Sequence, residues 1–176
     1  IIASRELELQ LTGKNCGMEE RAKMCGVPYH SCEAYIARLI EKGYKVAICE
    51  QLEDPSKTKG IVKRDVVRVV TPGTVIEGSM LDETKNNYIC CVKKDFNGAG
   101  VVFADVSTGE IKATDFSDGD LTLKIVNELS RFSPKEVLLC SNSAKDENIT
   151  SFVKNKLSAA MTILSNEVFE LKYAKT

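Results

Sequence analysis

The chain has 176 residues, with 24 Lys+Arg against 25 Asp+Glu, a formal net charge of −1 and 43% hydrophobic residues. This length allows one medium domain or two small ones with a buried core, and the balanced charge excludes both a uniformly basic nucleic-acid coat and an acidic disordered tail. No apolar run approaches the ~20 residues of a membrane span, and no signal peptide opens the sequence. Seven cysteines without a CxxC pair predict a reduced, cytoplasmic, globular protein.

The first half of the chain predicts two helices and two strands between polar segments: helix 1–9, loop 12–23, helix 32–42, buried strand 45–49, loop 54–60 and strand 61–71. Helix 1–9 has no N-cap, which indicates a piece cut from a longer protein. For helix 32–42 we expect Ser31 as the N-cap and Gly43 as the C-terminal stop.

The second half predicts three antiparallel strands followed by alternating helices and strands: strands 88–93, 100–106 and 110–116, helix 121–132, strand 137–140, helix 146–157 and strand 161–164. Asn97-Gly98, between the first two strands, is a strong hairpin signal. This order predicts a ribonuclease-H-like α/β domain. The polar, aperiodic residues 76–86 predict a linker, and the charge changes there: residues 1–76 hold 12 basic and 10 acidic side chains, residues 77–176 hold 12 and 15.

Few side chains suggest catalysis or metal binding. No GxxxxGK[ST] phosphate loop occurs. A zinc site could combine Cys25, His30, Cys32 and Cys49, but the spacing is wrong for paired ligands, and buried cysteines acting as small hydrophobic residues are favoured. Nucleophilic catalysis by His30 with a cysteine is also disfavoured, because no orienting Asn or Asp can be placed. We therefore predict no catalytic, cofactor-binding or metal-binding residues in this stretch.

Asp105 ends the central predicted strand, where ribonuclease-H-like nucleases keep a metal-binding carboxylate. Two-metal chemistry needs several converging carboxylates, yet strand 137–140 is followed by Ser141-Asn142-Ser143. The favoured interpretation is that Asp105 supports the Ser107-Thr108-Gly109 turn. A metal-dependent nuclease centred on Asp105 remains the alternative.

Basic residues concentrate before and within strand 61–71, with Asp65 as the only acid among them: Lys57, Lys59, Lys63, Arg64 and Arg68. In a regular strand, Arg64 and Arg68 share one face and Lys63 lies on the other. Such a run can contact phosphates or can be a solvated face, and the residues alone leave both open.

Three segments make the chain recognisable: MCGVPYH at 24–30, GYKVAICEQLEDP at 43–55 and VVRVVTPGT at 66–74. In this order and spacing they resemble the MutS family of DNA mismatch-repair proteins. The resemblance implies an N-terminally truncated mismatch-recognition domain at 1–75, of α+β type with a mixed sheet, a linker at 76–86, and a C-terminally truncated ribonuclease-H-like connector domain at 87–176.

The resemblance also implies a DNA-facing surface, formed by Met24, Cys25, Gly26, Lys63, Arg64 and Arg68. Tyr29 and His30 are expected to be structural, packing their loop onto the helix from Cys32. The family reads mispairs through a Phe-x-Glu motif whose Phe wedges into the base stack. No such motif occurs in residues 1–75.

Partners and cofactors follow from the same resemblance. Expected partners are mismatched duplex DNA, a MutL-type protein bound through the connector, and a second copy of the longer protein, with no membrane association. ATP and Mg belong to an ATPase domain outside this sequence, so no cofactor and no enzymatic activity are expected here. A pure protein-interaction module is a further alternative.

Overall fold

A computed structural model describes residues 1–17, 19–54, 56–57 and 60–174. The chain divides into two compact units, Ile1–Val70 and Thr71–Thr176. Among the described residues, every helix is too short or too polar to cross a membrane. The predicted domain bounds of 1–75, 76–86 and 87–176 remain a prediction. The structure does, however, place the segment 71–75 in the second unit.

In its described residues, the first unit contains two α-helices and four strands: α1 (Ile2–Glu6), α2 (Cys32–Glu41), β1 (Thr12–Lys14), β2 (Ala22–Met24), β3 (Val46–Gln51) and β4 (Arg64–Val70). β1 pairs with β2 and β3 with β4, each as an antiparallel two-stranded sheet. In the described residues, the mixed sheet expected for this unit is therefore two separate antiparallel sheets.

The prediction of an irregular polar loop over residues 12–23 is wrong. β1 and β2 form a ladder there, reinforced by Thr12 Oγ1 donating to the Met24 carbonyl at 3.0 Å and by Arg21 donating to the Gly13 carbonyl at 2.5 Å. Strands of three residues are too short to show the alternation of apolar and polar residues by which strands are predicted.

Helix α2 forms where the apolar spacing predicted it, but its ends follow different rules. Gly43 has φ +80°, the left-handed conformation expected of a C-terminal stop. Ser31 occupies the N-cap position without capping, because its Oγ donates to the Pro28 carbonyl at 3.2 Å. A 3₁₀ turn, Tyr29–Ser31, leads directly into the helix, and the Ser31 hydroxyl bonds within this turn instead of capping the helix.

The second unit is built on a five-stranded sheet. Its strands and α-helices are, in chain order, β5 (Tyr88–Lys94), β6 (Ala99–Asp105), β7 (Glu110–Phe116), α3 (Leu121–Phe132), β8 (Glu136–Cys140), α4 (Glu147–Phe152), β9 (Ala160–Leu164) and α5 (Leu171–Ala174). The strand order is β7-β6-β5-β8-β9. β5 to β7 are antiparallel, whereas β8 runs parallel to β5 and β9 parallel to β8. This is the predicted ribonuclease-H-like arrangement.

Both long helical segments of this unit pack on one face of the sheet. Successive strand residues point to opposite faces, so alternate residues of β5, β6 and β8 supply the buried side. Their fully buried side chains pack with those of α3, of α4 and of the π-helical turn Val153–Leu157 that continues α4, in a single cluster: Cys90, Val92, Val101, Phe103, Val137, Leu139, Ile125, Leu129, Ile149 and Val153. The core of the second unit therefore lies between the sheet and these two helices.

A half-buried polar network holds α3 and α4 at the end of β5. Lys94 Nζ and Thr122 Oγ1 each donate to Asp146 Oδ2 at 2.6 Å, and Asp146 also caps α4 by accepting from the Asn148 amide at 3.1 Å. Asp120 caps α3 in the same way, accepting from the Leu123 amide at 3.0 Å. Both caps satisfy amides that a helix leaves unpaired at its start.

Candidate nucleic-acid interface

The end of β2 forms an exposed corner at Met24, Cys25 and Gly26. Met24 is 44% exposed and Cys25 is half-buried. A methyl group added at Gly26 would meet nothing within 4 Å, so the backbone there is open to solvent. Pro28 continues the chain in extended conformation. These residues therefore present an apolar side chain and accessible backbone to a large ligand.

The expectation that Tyr29 and His30 pack their loop onto α2 is wrong. Tyr29 is 84% exposed and His30 is exposed as well. The 3₁₀ turn is held by its backbone instead, with the Ser31 amide donating to the Pro28 carbonyl at 3.1 Å. Both rings are left facing solvent beside the corner at residues 24–26.

Lys63 and Arg64 are exposed where β4 begins. The Lys63 amide donates to Glu53 at 3.2 Å, and its carbonyl accepts from the Leu52 amide at 2.9 Å. The two cations are therefore carried by backbone that is fixed against the opposite strand, rather than by a free loop.

A β-bulge changes the faces of this strand. Val66 pairs with Cys49 and Arg68 with Ile48, which leaves Val67 as an extra residue. Because one extra residue reverses the alternation, side chains before and after the bulge exchange faces. In the β3–β4 sheet, side chains therefore alternate between the two faces all along β3, whereas in β4 this alternation is broken at Val67.

The prediction that Arg64 and Arg68 share a face is wrong for this reason. Directly paired residues lie on the same face, so Arg64 lies with Gln51 and Arg68 with Ile48, on opposite sides. Arg68 is half-buried. Arg64 lies on the exposed face, together with Val66.

The predicted buried strand at 45–49 also differs from the structure. β3 runs to Gln51, and only Val46 and Ile48 are half-buried while its other residues are exposed. A strand with a single partner strand keeps one face in water, which a short apolar run does not reveal.

Acidic residues lie close to the basic run once β3 and β4 are paired. Asp65 lies opposite Glu50, and residues 46–70 hold five basic and four acidic side chains. Lys57 pairs with Asp54 at 3.7 Å, while Pro55 and Lys59 fall outside the described residues. The positive surface is therefore narrower than the sequence suggested and centres on Lys63 and Arg64.

Asp105 supports a turn, as the sequence predicted. Its Oδ1 accepts from the Ser107 amide and hydroxyl at 2.9 and 2.6 Å and from the Thr108 amide at 3.3 Å, and its Oδ2 accepts from the Asn87 amide at 3.0 Å. Within the described ranges, no group of three His, Cys, Asp or Glu side chains is placed to hold a metal ion. The geometry gives no support to a metal-dependent nuclease at Asp105.

These hydrogen bonds make the stability of the second unit depend on pH. Burial raises the pKa of Asp105, but the bonds from Ser107, Asn87 and Thr108 outweigh burial and leave that pKa below its ordinary value. The native state thus favours the ionised carboxylate. Its stabilisation is complete above the ordinary Asp pKa of about 3.9 and is lost as the pH falls through the lower folded-state pKa.

We expect Asp105→Asn to lower the free energy of unfolding at pH 7 by about 1–3 kcal/mol, because an amide cannot accept all four bonds. The loss of stability between pH 7 and pH 3 should also become smaller in this variant. Urea midpoints at the two pH values measure both effects. Asp115→Asn, at an exposed position of β7, is the control, and an equal pH response in both variants would contradict the role of Asp105.

The cysteines follow the prediction only in part. All seven are free; of the three considered as zinc ligands, Cys25 and Cys32 are half-buried and Cys49 is exposed, whereas Cys90 and Cys140 are buried. Burial raises the pKa of the Cys90 thiol well above its ordinary value. This thiol is therefore unreactive at neutral pH.

Sequence reasoning missed Glu136, the first residue of β8. Its side chain is 1% exposed, and its Oε2 accepts from the Thr71 hydroxyl and, at 3.3 Å, from the Gly73 amide. Buried carboxylates are rare unless they are paired or hydrogen-bonded. The only signal in the sequence is an acidic residue directly before the apolar run 137–140.

Two family models match successive parts of the chain. Residues 1–79 match the family model described as MutS domain I, and residues 87–175 match MutS domain II. The chain therefore belongs to the MutS family.

Curated relatives are named DNA mismatch repair protein MutS. The relative from Acetivibrio thermocellus is 50% identical over 173 residues, 98% of this chain and 20% of the relative. Those from Ruminiclostridium cellulolyticum and Clostridium tetani are 49% and 50% identical over 169 residues, 96% of this chain and 19% of each relative. The chain thus spans about a fifth of the length of these relatives.

Proposed function

We propose that the chain takes part in DNA mismatch recognition, with its first unit contacting duplex DNA. The observation that best supports DNA contact is the pair of exposed cations, Lys63 and Arg64, at the start of β4. Phosphate contacts from such cations position a protein on DNA without reading its sequence. The open corner at residues 24–26 offers an apolar contact for a groove.

The proposed surface has two parts carried by two separate sheets. Met24, Cys25 and Gly26 follow the β1–β2 ladder, whereas Lys63 and Arg64 begin the β3–β4 ladder. Arg68 is left out of the proposed surface, because it lies on the half-buried face of β4. The cations supply affinity and the corner supplies the contact nearest the bases.

Binding by this chain should be weak, sensitive to salt and indifferent to mispairs. Residues 1–75 lack the Phe-x-Glu motif by which the family wedges into the base stack, and wedging is what makes a kinked mispair preferable to regular duplex. Without it, binding depends on counterion release from a few phosphates.

We expect the double substitution Lys63→Ala, Arg64→Ala to lower DNA affinity about tenfold at low salt and to reduce the slope of log affinity against log salt by about 2. Fluorescence anisotropy with a homoduplex and a G·T heteroduplex measures this. Lys154→Ala, Lys156→Ala removes two exposed cations of the second unit as the matched control. Equal loss in both variants would reject the site, and a several-fold heteroduplex preference in the parent chain would reject mismatch-blind binding.

Further assignments rest on family membership alone. We propose that the second unit connects recognition to the rest of a longer protein and binds a MutL-type partner, and that the longer protein is a cytoplasmic homodimer using ATP and Mg in another domain. Sedimentation of the chain alone and with a MutL-type protein would test partner binding, which fails if the two sediment independently.

A further inference from the structure

The hairpin between β5 and β6 contains the one Asn-Gly pair of the sequence, Asn97-Gly98. Its loop closes through the Asp95 amide, which donates to the Gly98 carbonyl at 2.9 Å, and the Asn97 amide donates to Asp95 Oδ1 at 2.8 Å. Neither Asn97 nor Gly98 has a positive φ. The pair therefore does not form the type I′ turn by which Asn-Gly usually makes a hairpin.

Gly98 is needed for space instead. A Cβ at this position would lie 2.6 Å from the carbonyl oxygen of Phe116, the last residue of β7, which is closer than such atoms approach. The Phe116 oxygen belongs to the backbone of a paired strand and does not move aside as a flexible side chain would. The peptide nitrogen that follows Asn97 thus belongs to a residue that has to be without a Cβ.

The reactive atoms of this pair are open to solvent. Asn97 is exposed, and together with Gly98, Lys93 and Asp115 it lines an open depression of about 330 Å³. Within the described residues, neither the side-chain amide of Asn97 nor the backbone amide of Gly98 makes a hydrogen bond to another residue. Water therefore reaches both groups, and no hydrogen bond has to break before they approach each other.

An asparagine followed by glycine carries its own electrophile and nucleophile. The Gly98 nitrogen forms a bond to Asn97 Cγ, the bond from Cγ to the side-chain nitrogen breaks, and the Gly98 proton passes through solvent to the leaving group, which departs as ammonia. This ring closure is fastest before glycine, because a Cβ on the following residue hinders the attacking nitrogen. Water then opens the succinimide: attack at Cγ gives aspartate, and attack at the Asn97 main-chain carbonyl gives isoaspartate.

We propose that Asn97 is a site of spontaneous deamidation and that its isoaspartyl product loosens the β5–β6 hairpin. Isoaspartate adds the Cβ methylene of residue 97 to the main chain, inside a loop whose ends are joined by the Asp95–Gly98 hydrogen bond. The longer loop has to give up either this bond or the close fit of Gly98 against Phe116. The inference is independent of DNA binding, because it uses residues of the second unit alone.

The test incubates the full chain at mildly alkaline pH and quantifies each asparagine by peptide mapping with mass spectrometry, using enzymatic methylation of isoaspartate to distinguish the two acids. Asn142 is the internal comparison: it is exposed as well, but the Ser143 that follows it is buried, and its amide donates to Cys140 Sγ at 3.4 Å. We expect Asn97 to convert about tenfold faster than Asn142 or more, because it precedes a residue without a side chain.

Two variants and one further measurement complete the test. Asn97→Gln keeps an amide but requires a larger ring, so it should abolish conversion at this position. Hydrogen exchange of the Asp95 amide should rise about threefold or more in the isoaspartyl form, after its chromatographic separation, because the loop opens more often. Asn97→Asp adds the same charge without lengthening the main chain and should exchange at the parental rate.

Each outcome supports or overturns a stated part of the inference. Conversion at Asn97 that is no faster than at Asn142 overturns the modification site. Fast conversion in urea with none in the folded chain overturns it as well, because the fold then protects the pair. If isoaspartate forms and the Asp95 amide keeps its parental exchange rate, the loosening of the hairpin is overturned.

Discussion

Phe103→Ala is expected to destabilise the second unit by about 3–5 kcal/mol, which is the range for removing a fully buried phenylalanine. Phe103, on β6, is inaccessible to solvent. Its ring lies 4.3 Å from that of Phe132 and 6.0 Å from that of Tyr88, measured between centroids. Alanine would remove both ring contacts and leave a cavity that the surrounding strands cannot fill.

Phe96→Ala provides the matched control, because Phe96 is 94% exposed in the hairpin between β5 and β6. Its removal should change the free energy of unfolding by less than about 0.5 kcal/mol. Urea unfolding followed by circular dichroism gives the size of each effect. Hydrogen exchange by mass spectrometry should place the faster exchange of Phe103→Ala within the second unit. Similar midpoints for the two variants would contradict the position of Phe103 in the core.

Gly73→Ala is expected to cost about 1–3 kcal/mol through overpacking. A Cβ at this position would lie 2.8 Å from the Cβ atoms of Glu136 and Ile89 and 3.1 Å from the Ile89 Cα, closer than such atoms approach. Strand backbone cannot move away without breaking the pairing of β5 with β8, whose register places Ile89 opposite Glu136. The reason is therefore lack of space rather than an unusual backbone conformation.

Gly78→Ala is the control for this substitution, because a methyl group at Gly78 would meet nothing within 4 Å. Neither glycine has a positive φ, so both variants carry the same change in backbone freedom. The difference between their urea midpoints isolates the steric effect. Equal midpoints would mean that the turn at 71–74 does not lie against β5 and β8.

Local pattern was sufficient where an element is long and its apolar residues are regular. The three antiparallel strands of the second unit and helix α3 lie where alternation and helical spacing predicted them. Local pattern failed for β1 and β2, which have three residues each, and for the faces of β4. The bulge at Val67 is decided by pairing with β3, and no periodicity within β4 indicates it.

In the candidate site, too, some features could be predicted from the sequence and others depended on tertiary packing. Motifs identified the family and the residues Met24, Cys25, Gly26, Lys63 and Arg64, because a family motif depends only on residue order. The exposure of Tyr29 and the half-buried position of Arg68 depend on what packs beside them. No motif carried that information.

By itself, then, the sequence determined the family, the order of elements in the second unit and the turn at Asp105, since each depends on neighbours in the chain. Only the tertiary structure decided that Arg64 and Arg68 point apart and that Glu136 holds the turn at Thr71. Those features depend on strand pairing and on a buried hydrogen bond between residues 65 positions apart. The free energy of a buried carboxylate depends on which donors the fold brings to it, and that is a property of packing rather than of residue order.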